Sequence, residues 1–225
     1  MFYLATLGIQ AAYKIDLTNI LGMHYFGSHL FKPYQIISYM FMHANFGHIF
    51  FNMFALWMFG SVLENYWGPK RFFSYYMITG IGAIMVQMVV TYIQIMNVMP
   101  FLSPEQIEMV KTEGYKILAE NKNYIDVYEG KLNLLYNTGT LGASGAVFGL
   151  LLAFGMTFPN SVIYLYFAIP IKAKWFVILY AALELYSGLS NNPSDNVAHF
   201  AHLGGALVGL IIILFWNRKT KNKLL

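Results

Sequence analysis

The sequence predicts an all-α membrane protein that crosses the bilayer several times. Of its 225 residues, 58% are hydrophobic and only 11% are charged, and the mean hydropathy is +0.52. These values lie well to the apolar side of a water-soluble domain. Several stretches approach the roughly 20 apolar residues that a helix needs to cross a bilayer. The alternation typical of barrel strands is absent, so helices are expected to satisfy the backbone polar groups.

The apolar stretches predict six membrane spans. Spans two to six are predicted at Phe46–Leu63, Phe72–Met96, Gly142–Phe158, Trp175–Leu189 and Ala198–Trp216. Met1–Ala12 is too short to span by itself, and it has no cationic start or cleavage site resembling a signal peptide. We therefore expect it to be a first span whose beginning is missing from the sequence. Residues 1–225 are predicted to form a single transmembrane domain.

Two connecting segments are predicted to lie outside the hydrocarbon. Tyr13–Met42 is rich in Leu, Phe and Tyr but is interrupted by glycines and Pro33, which suits a loop in the membrane interface. Asn97–Thr140 contains six acids and four lysines, with a helix-forming run at Pro104–Glu120. We expect it to be a solvated insertion rather than a second domain.

The basic residues predict the orientation in the membrane. Eight of the fourteen fall in three segments that alternate onto one side of the bundle, namely Lys70 and Arg71, Lys172 and Lys174, and Arg218, Lys219, Lys221 and Lys223. The positive-inside rule makes that side, with the C-terminus, cytoplasmic. Asn97–Thr140 and the loop near Asp195 then lie outside, and spans two, four and six begin at the outer face. Because the basic residues stand beside apolar spans, nucleic acid is not expected as a partner.

Three residues that could take part in chemistry stand near the outer ends of spans four and six. Ser144, in Gly142-Ala143-Ser144-Gly145, opens span four, and His199 and His202 open span six. A serine among small residues more often marks helix packing than a nucleophile. Histidine inside a membrane is a functional candidate by default, although a hydrogen-bonded core histidine is the alternative.

Glycines next to these residues predict that spans four and six approach closely. Gly-x-x-x-Gly pairs stand at Gly145 and Gly149 in span four and at Gly205 and Gly209 in span six. Facing glycines let two helices approach each other. A hydrogen bond between Ser144 and His202 is therefore geometrically accessible.

Span two contributes further polar residues. His48 and Asn52 are four residues apart and share one helical face, where they would donate to an oxyanion or form an interhelical hydrogen-bonded pair. No carboxylate is expected to orient His202, because Glu184 lies in the middle of span five and Asp195 lies in an outer loop. The pattern therefore predicts a dyad rather than a triad.

Three motifs in this order resemble the rhomboid family of intramembrane serine proteases. They are His48-Ile-Phe-Phe-Asn52, Gly142-Ala-Ser-Gly145 and His202-Leu-Gly-Gly205-Ala-Leu-Val-Gly209. The resemblance implies a rhomboid-like six-helix bundle of the prokaryotic type, in the cell's inner membrane. It makes Ser144 the nucleophile and His202 the general base, with His48, Asn52 and the Ser144 N–H as the oxyanion hole. Phe148 would stack on the His202 ring, and His199 and His43 would give support by hydrogen bonding.

The resemblance also implies the partners. The substrate would be a transmembrane helix of another protein, embedded in the membrane lipids, and it must unwind before attack because helical carbonyls are already hydrogen-bonded. Span five and the loop Ser187–Val197 are the predicted gate and lid, with Leu185 and Tyr186 near the outer end of the gate.

Three alternatives remain beside the protease hypothesis. A catalytically inactive rhomboid-like protein would bind client helices, but it is expected to lack the serine or the histidine. A transporter or channel would use intramembrane charge, which is limited here largely to Glu184. A metal site could be formed by four histidines, namely His43, His48, His199 and His202. The chain contains no cysteine and no HExxH motif, so we expect neither a metal nor a cofactor.

Overall fold

The computed structural model describes residues 2–165, 168–190 and 197–221, most of which are helical. The helices are α1 (Phe2–Tyr13), α2 (Leu17–Leu21), α3 (Gln35–Ser38), α4 (Phe46–Ala55), α5 (Ser61–Trp67), α6 (Pro69–Val98), α7 (Pro104–Ala119), α8 (Val127–Asn137), α9 (Ser144–Thr157), α10 (Ala173–Ser190) and α11 (His199–Lys221). Short 3₁₀ turns follow α3 and α6, and a π-helical turn, Leu56–Gly60, joins α4 to α5. The prediction of a helical membrane bundle is confirmed.

Among the described residues, three helical segments are long and apolar enough to cross a membrane. They are Phe46–Trp67, Pro69–Phe101 and His199–Asn217, which match predicted spans two, three and six. The helix in span four, α9, has only 14 residues, or about 21 Å, less than the thickness of a hydrocarbon core. Ten of those residues are buried, so neighbouring helices rather than lipid cover most of α9.

The chain divides into two compact units. The first comprises Met1–Ala44 and Gln87–Gly142, and the second comprises Asn45–Val86 and Ala143–Leu225. Helix α6 contributes residues to both units.

In the first unit, the predicted insertion Asn97–Thr140 forms the helices α7 and α8. Ser103 begins α7 with a capping box, in which its Oγ accepts from the Gln106 N–H and the Gln106 side chain accepts from the Ser103 N–H. The predicted helical run therefore exists and ends one residue before its expected limit. Val110 of α7 and Leu132 of α8 are fully buried in one apolar cluster, so the two helices share a small core.

In the second unit, aromatic contacts join the start of α6 to the ends of α9 and α11. The Arg71 guanidinium lies 5.0 Å from the ring centre of Trp216, which also contacts Trp67. Tyr66 at the end of α5 meets Phe158 just after α9, with ring centres 5.4 Å apart. The start of α6, the end of α9 and the end of α11 therefore lie together, as the distribution of charge predicts.

The connection Pro159–Lys174, predicted as a loop, contains a short β-hairpin. Strands β1 (Val162–Leu165) and β2 (Ile169–Lys172) pair antiparallel, with Ile163 opposite Ile171. Four-residue strands are too short to give a clear alternating pattern in the sequence, and Ile163 is the only β1 or β2 residue that is buried.

Candidate active site

The backbone before Ser144 requires a glycine. Gly142 has a φ of +116°, a conformation that residues with a side chain rarely adopt. Its N–H donates to the Tyr39 carbonyl at 2.9 Å, which fixes this turn. Helix α9 begins two residues later at Ser144, so the Ser144 N–H belongs to the first turn and has no acceptor within its own helix.

Helices α9 and α11 touch backbone to backbone at their glycines. A Cβ on Gly205 would lie 1.8 Å from the Gly145 carbonyl oxygen, and one on Gly209 would lie 3.4 Å from the Gly149 Cα. The second contact is further supported by Tyr75, whose hydroxyl donates to the Gly149 carbonyl at 2.8 Å. At position 205 only glycine permits this approach, which brings the first turns of the two helices together.

Ser144 and His202 are within hydrogen-bond distance at that point. The Ser144 Oγ is 2.8 Å from His202 Nε2. The ring of Phe148, one turn after Ser144, stacks on the His202 ring with 4.2 Å between centres and 5° between planes. Phe148 thus limits rotation of the imidazole, and His202 is buried with 8% of its surface exposed.

The expectation that no carboxylate reaches His202 is wrong. Glu184 Oε2 lies 2.9 Å from His202 Nδ1 and 2.6 Å from His199 Nδ1. Since a carboxylate only accepts hydrogen bonds, His202 must donate through Nδ1, which leaves Nε2 to accept from the Ser144 hydroxyl. The four side chains therefore form one hydrogen-bonded chain.

Sequence reasoning missed Glu184 because it judged the residue by its depth in span five. The available signal was different: a lone acid in an apolar helix needs a partner, and His199 and His202 are three residues apart on one face of α11. Glu184, His199 and His202 also have ligand atoms within 4.8 Å of one another, the geometry of a possible metal site. Hydrogen bonds to a single carboxylate oxygen account for the cluster without a metal.

The predicted oxyanion pair lies on α4. Asn45 caps this helix and accepts from the His48 N–H at 2.8 Å, while the buried Asn52 donates through Nδ2 to the His48 carbonyl at 2.9 Å. His43 lies in the first unit, where its side chain is buried.

The structure describes the predicted gate and only part of the predicted lid. Leu185 and Tyr186 on α10 are 47% and 74% exposed. Gly188 lies in the same helix. Residues 191–196 of the predicted lid, which include Pro193 and Asp195, lie outside the described residues.

Together, these observations define a helical membrane protein with a serine, two histidines and a glutamate joined at one end of its helices. A sequence profile of the rhomboid domain matches residues 30–99 and 117–219. The chain therefore belongs to the rhomboid family. The match covers parts of both compact units and leaves residues 100–116, within the predicted insertion, unmatched.

Relatives come from several organisms. Rhomboid protein 1, mitochondrial, of Saccharomyces cerevisiae is 28% identical over 178 residues, 79% of this chain and 40% of that protein. RHOMBOID-like protein 12, mitochondrial, of Arabidopsis thaliana is 27% identical over 192 residues, 85% of this chain and 48% of that protein. Rhomboid protease AarA of Providencia stuartii is 27% identical over 186 residues, 77% of this chain and 52% of that protein. The chain spans about half the length of the curated relatives it matches.

Proposed function

We propose that this protein is an intramembrane serine endopeptidase that cleaves transmembrane-helix substrates near the outer membrane face. The observation that carries the proposal is the 2.8 Å contact between Ser144 Oγ and His202 Nε2. A nucleophile and a base within hydrogen-bond reach, with the base held by a further group, are the signature of an activated serine. The inactive client-binding alternative has no observation of its own in its favour.

The proposed reaction proceeds through an acyl-enzyme. The Ser144 hydroxyl proton moves to His202 Nε2 as Oγ bonds to the carbonyl carbon of the scissile peptide, whose oxygen takes the electron pair. When that intermediate collapses, the peptide C–N bond breaks and the leaving amine takes the proton from His202. Water then attacks the ester with His202 as base, which releases the acid product and restores the Ser144 hydroxyl.

Three donors are proposed for the oxyanion. The Ser144 N–H lies at the start of α9, where the helix dipole favours negative charge. The Asn52 amide nitrogen has two hydrogens, and only one is required for the bond to the His48 carbonyl. The His48 ring would supply the third donor.

The proposed function also requires a route for water to Ser144 and an orientation in the membrane. Hydrolysis inside a bilayer requires water to reach Ser144, and the polar first turns of α4, α9 and α11 offer a route from the outer side. We place the basic end of the second unit in the cytoplasm by the positive-inside rule, and the protein in the inner membrane of a prokaryotic cell, among lipids and its helical substrates. The name of the Providencia relative, a rhomboid protease, supports the same activity.

A serine-directed fluorophosphonate probe tests the proposal. We expect wild-type protein in detergent to be labelled and to cleave a transmembrane test substrate, and Ser144→Ala and His202→Ala to lose cleavage by about 10³-fold or more. Ser74→Ala is the matched control, because Ser74 is an exposed serine of α6 that donates only to the Lys70 carbonyl. Labelling of Ser144→Ala as strong as that of wild type would refute Ser144 as the nucleophile.

A further inference from the structure

Glu184 is an unusual residue in its helix. Among the described side chains of α10, only Ala173 and Glu184 are buried, and Glu184 is 6% exposed. The exposed residues around it are apolar, including Leu183 at 61%. An acid buried in a membrane helix is costly unless it is paired and hydrogen-bonded. The pairing here is with two histidines of α11 through one oxygen atom.

We propose that Glu184 is a positioning residue for His202, and that His199 in turn holds Glu184 in place. The inference rests on the proposed protease function and extends the expected dyad to a chain of four side chains. Glu184 fixes the imidazole in the tautomer with the proton on Nδ1, so that Nε2 faces the Ser144 hydroxyl as a base. When Nε2 takes that proton, the ring becomes a cation beside the Glu184 carboxylate, which stabilises it.

The geometry gives His199 a definite part. Its Nδ1 is closer to Oε2 than that of His202, at 2.6 Å against 2.9 Å, so it anchors the oxygen that both rings share. The carboxylate does not take up a proton in this scheme. The proton that leaves Ser144 stays on Nε2 until the leaving amine accepts it, and the Nδ1 proton remains on His202 throughout.

The arrangement also ties the chemistry to the position of α10. Glu184 is on α10, whereas His199 and His202 are on α11, and the other side chains of α10 are mostly exposed. If α10 moves outwards to admit a substrate, His202 loses the carboxylate until α10 returns. The base is therefore fully oriented only when α10 is packed against α11.

Three substitutions and one control separate positioning from structural support. Glu184→Gln keeps the size and an acceptor but removes the charge, whereas Glu184→Asp keeps the charge but is shorter. His199→Gln retains a donor to Glu184. Glu64→Gln makes the same change at an exposed acid of α5 and is the matched control. For each variant we would measure kcat and KM on a transmembrane test substrate, the thermal midpoint in detergent, and the ¹⁵N spectrum of the histidine rings.

Turnover and stability are expected to rank the variants differently. Glu184→Gln should lower kcat by about 10²-fold or more, with KM changed by less than about threefold, because the carboxylate acts on the base rather than on the substrate. Glu184→Asp should retain more turnover than Glu184→Gln although it leaves a gap in the packing and melts lower. His199→Gln should lie between wild type and Glu184→Gln. A merely structural glutamate would give one ranking for both quantities.

The ring spectrum tests the inference without turnover. The signals of His202, assigned by their loss in His202→Ala, should show a protonated Nδ1 and an unprotonated Nε2 in wild type and a mixture of tautomers in Glu184→Gln. Wild-type kcat and unchanged His202 signals in Glu184→Gln would overturn the positioning role. Absence of cleavage and probe labelling in wild type, with the tautomer signature still present, would instead overturn the protease proposal alone.

Discussion

The contact of Gly205 with Gly145 allows one substitution to be worked out in detail. In Gly205→Ala, the new Cβ would lie 1.8 Å from the Gly145 carbonyl oxygen and 2.6 Å from its carbon. Both atoms belong to backbone, so no side-chain rotation relieves the clash. Restoring an ordinary separation, from 1.8 Å to at least 3.4 Å, moves the two backbones apart by about 1.6 Å.

That displacement exceeds what the site can absorb. The Ser144–His202 bond is 2.8 Å long, and such a bond is lost beyond about 3.5 Å, so the site tolerates about 0.7 Å. Ser144 directly precedes Gly145, and His202 lies one turn before Gly205. Gly205→Ala should therefore separate Ser144 from His202 as well as strain the helix pair, at a cost of about 1–3 kcal/mol.

The assay combines thermal unfolding in detergent with the rate of fluorophosphonate labelling. We expect Gly205→Ala to melt lower than wild type and to be labelled at least about 10²-fold more slowly. Gly8→Ala in α1 is the control, because a Cβ there meets no atom within 4 Å, and it should match wild type in both measurements. Wild-type melting and labelling in Gly205→Ala would show that the helices do not touch as described.

The remaining predictions concern other parts of the protein. Asn52→Ala should lower kcat about 10²–10³-fold with little change in KM, because an oxyanion donor acts mainly in the transition state. Burial lowers the pKa of His24, so the unfolded state takes up the proton first as the pH falls. The contribution of His24 to the free energy of unfolding should therefore be constant above about pH 7 and decrease as the pH drops through about 6.5. His24→Gln should flatten this dependence. Tyr186→Ala should leave the thermal midpoint almost unchanged, since the side chain is 74% exposed, and should speed cleavage if substrates enter beside α10. In intact cells, an external thiol reagent should reach a cysteine at Lys122 but not one at Lys221.

Each of these has a contradicting outcome. A kcat as low in the exposed-site variant Asn65→Ala as in Asn52→Ala would remove the oxyanion interpretation. An unchanged pH dependence in His24→Gln would show that His24 is not the titrating group. Slower cleavage in Tyr186→Ala, with stability unchanged, would argue that this side chain guides the substrate. Labelling at Lys221 alone would reverse the orientation.

The sequence predicts best what depends on residues close together in the chain. Apolar length identifies α6 and α11, and the run after Ser103 identifies α7, because local composition and capping determine helices. The glycines beside Ser144 and His202 also indicate the close approach of these two residues. Each glycine shows in the sequence itself that its helix has no side chain there to hold another helix away.

Features that depend on distant contacts could not be predicted in this way. The distance of Glu184 from His202 depends on how α10 packs against α11, and no spacing within either helix specifies it. The β-hairpin depends on pairing between two strands of four residues each. Helix α9 is short because protein encloses it, and its length could be predicted only if its neighbouring helices were known. Tertiary packing rather than local pattern decides all three.

The site lies at one end of α11, and the contact with Arg71 lies at the other. His202 lies in the first turn of the helix, and Trp216, which contacts Arg71, lies 14 residues later, about 21 Å along the axis. Ser144 likewise opens α9, while Phe158, just beyond its end, meets Tyr66 near the basic residues. Ser144 and His202 therefore lie at the opposite end of these two helices from Trp216 and Arg71. The positive-inside rule predicts that the basic end lies in the cytoplasm. It therefore also predicts that Ser144 is nearer to the aqueous phase on the other side of the membrane. The proposed hydrolysis would then need water from one side only, and the buried glycine contacts of α9 and α11 could stay dry.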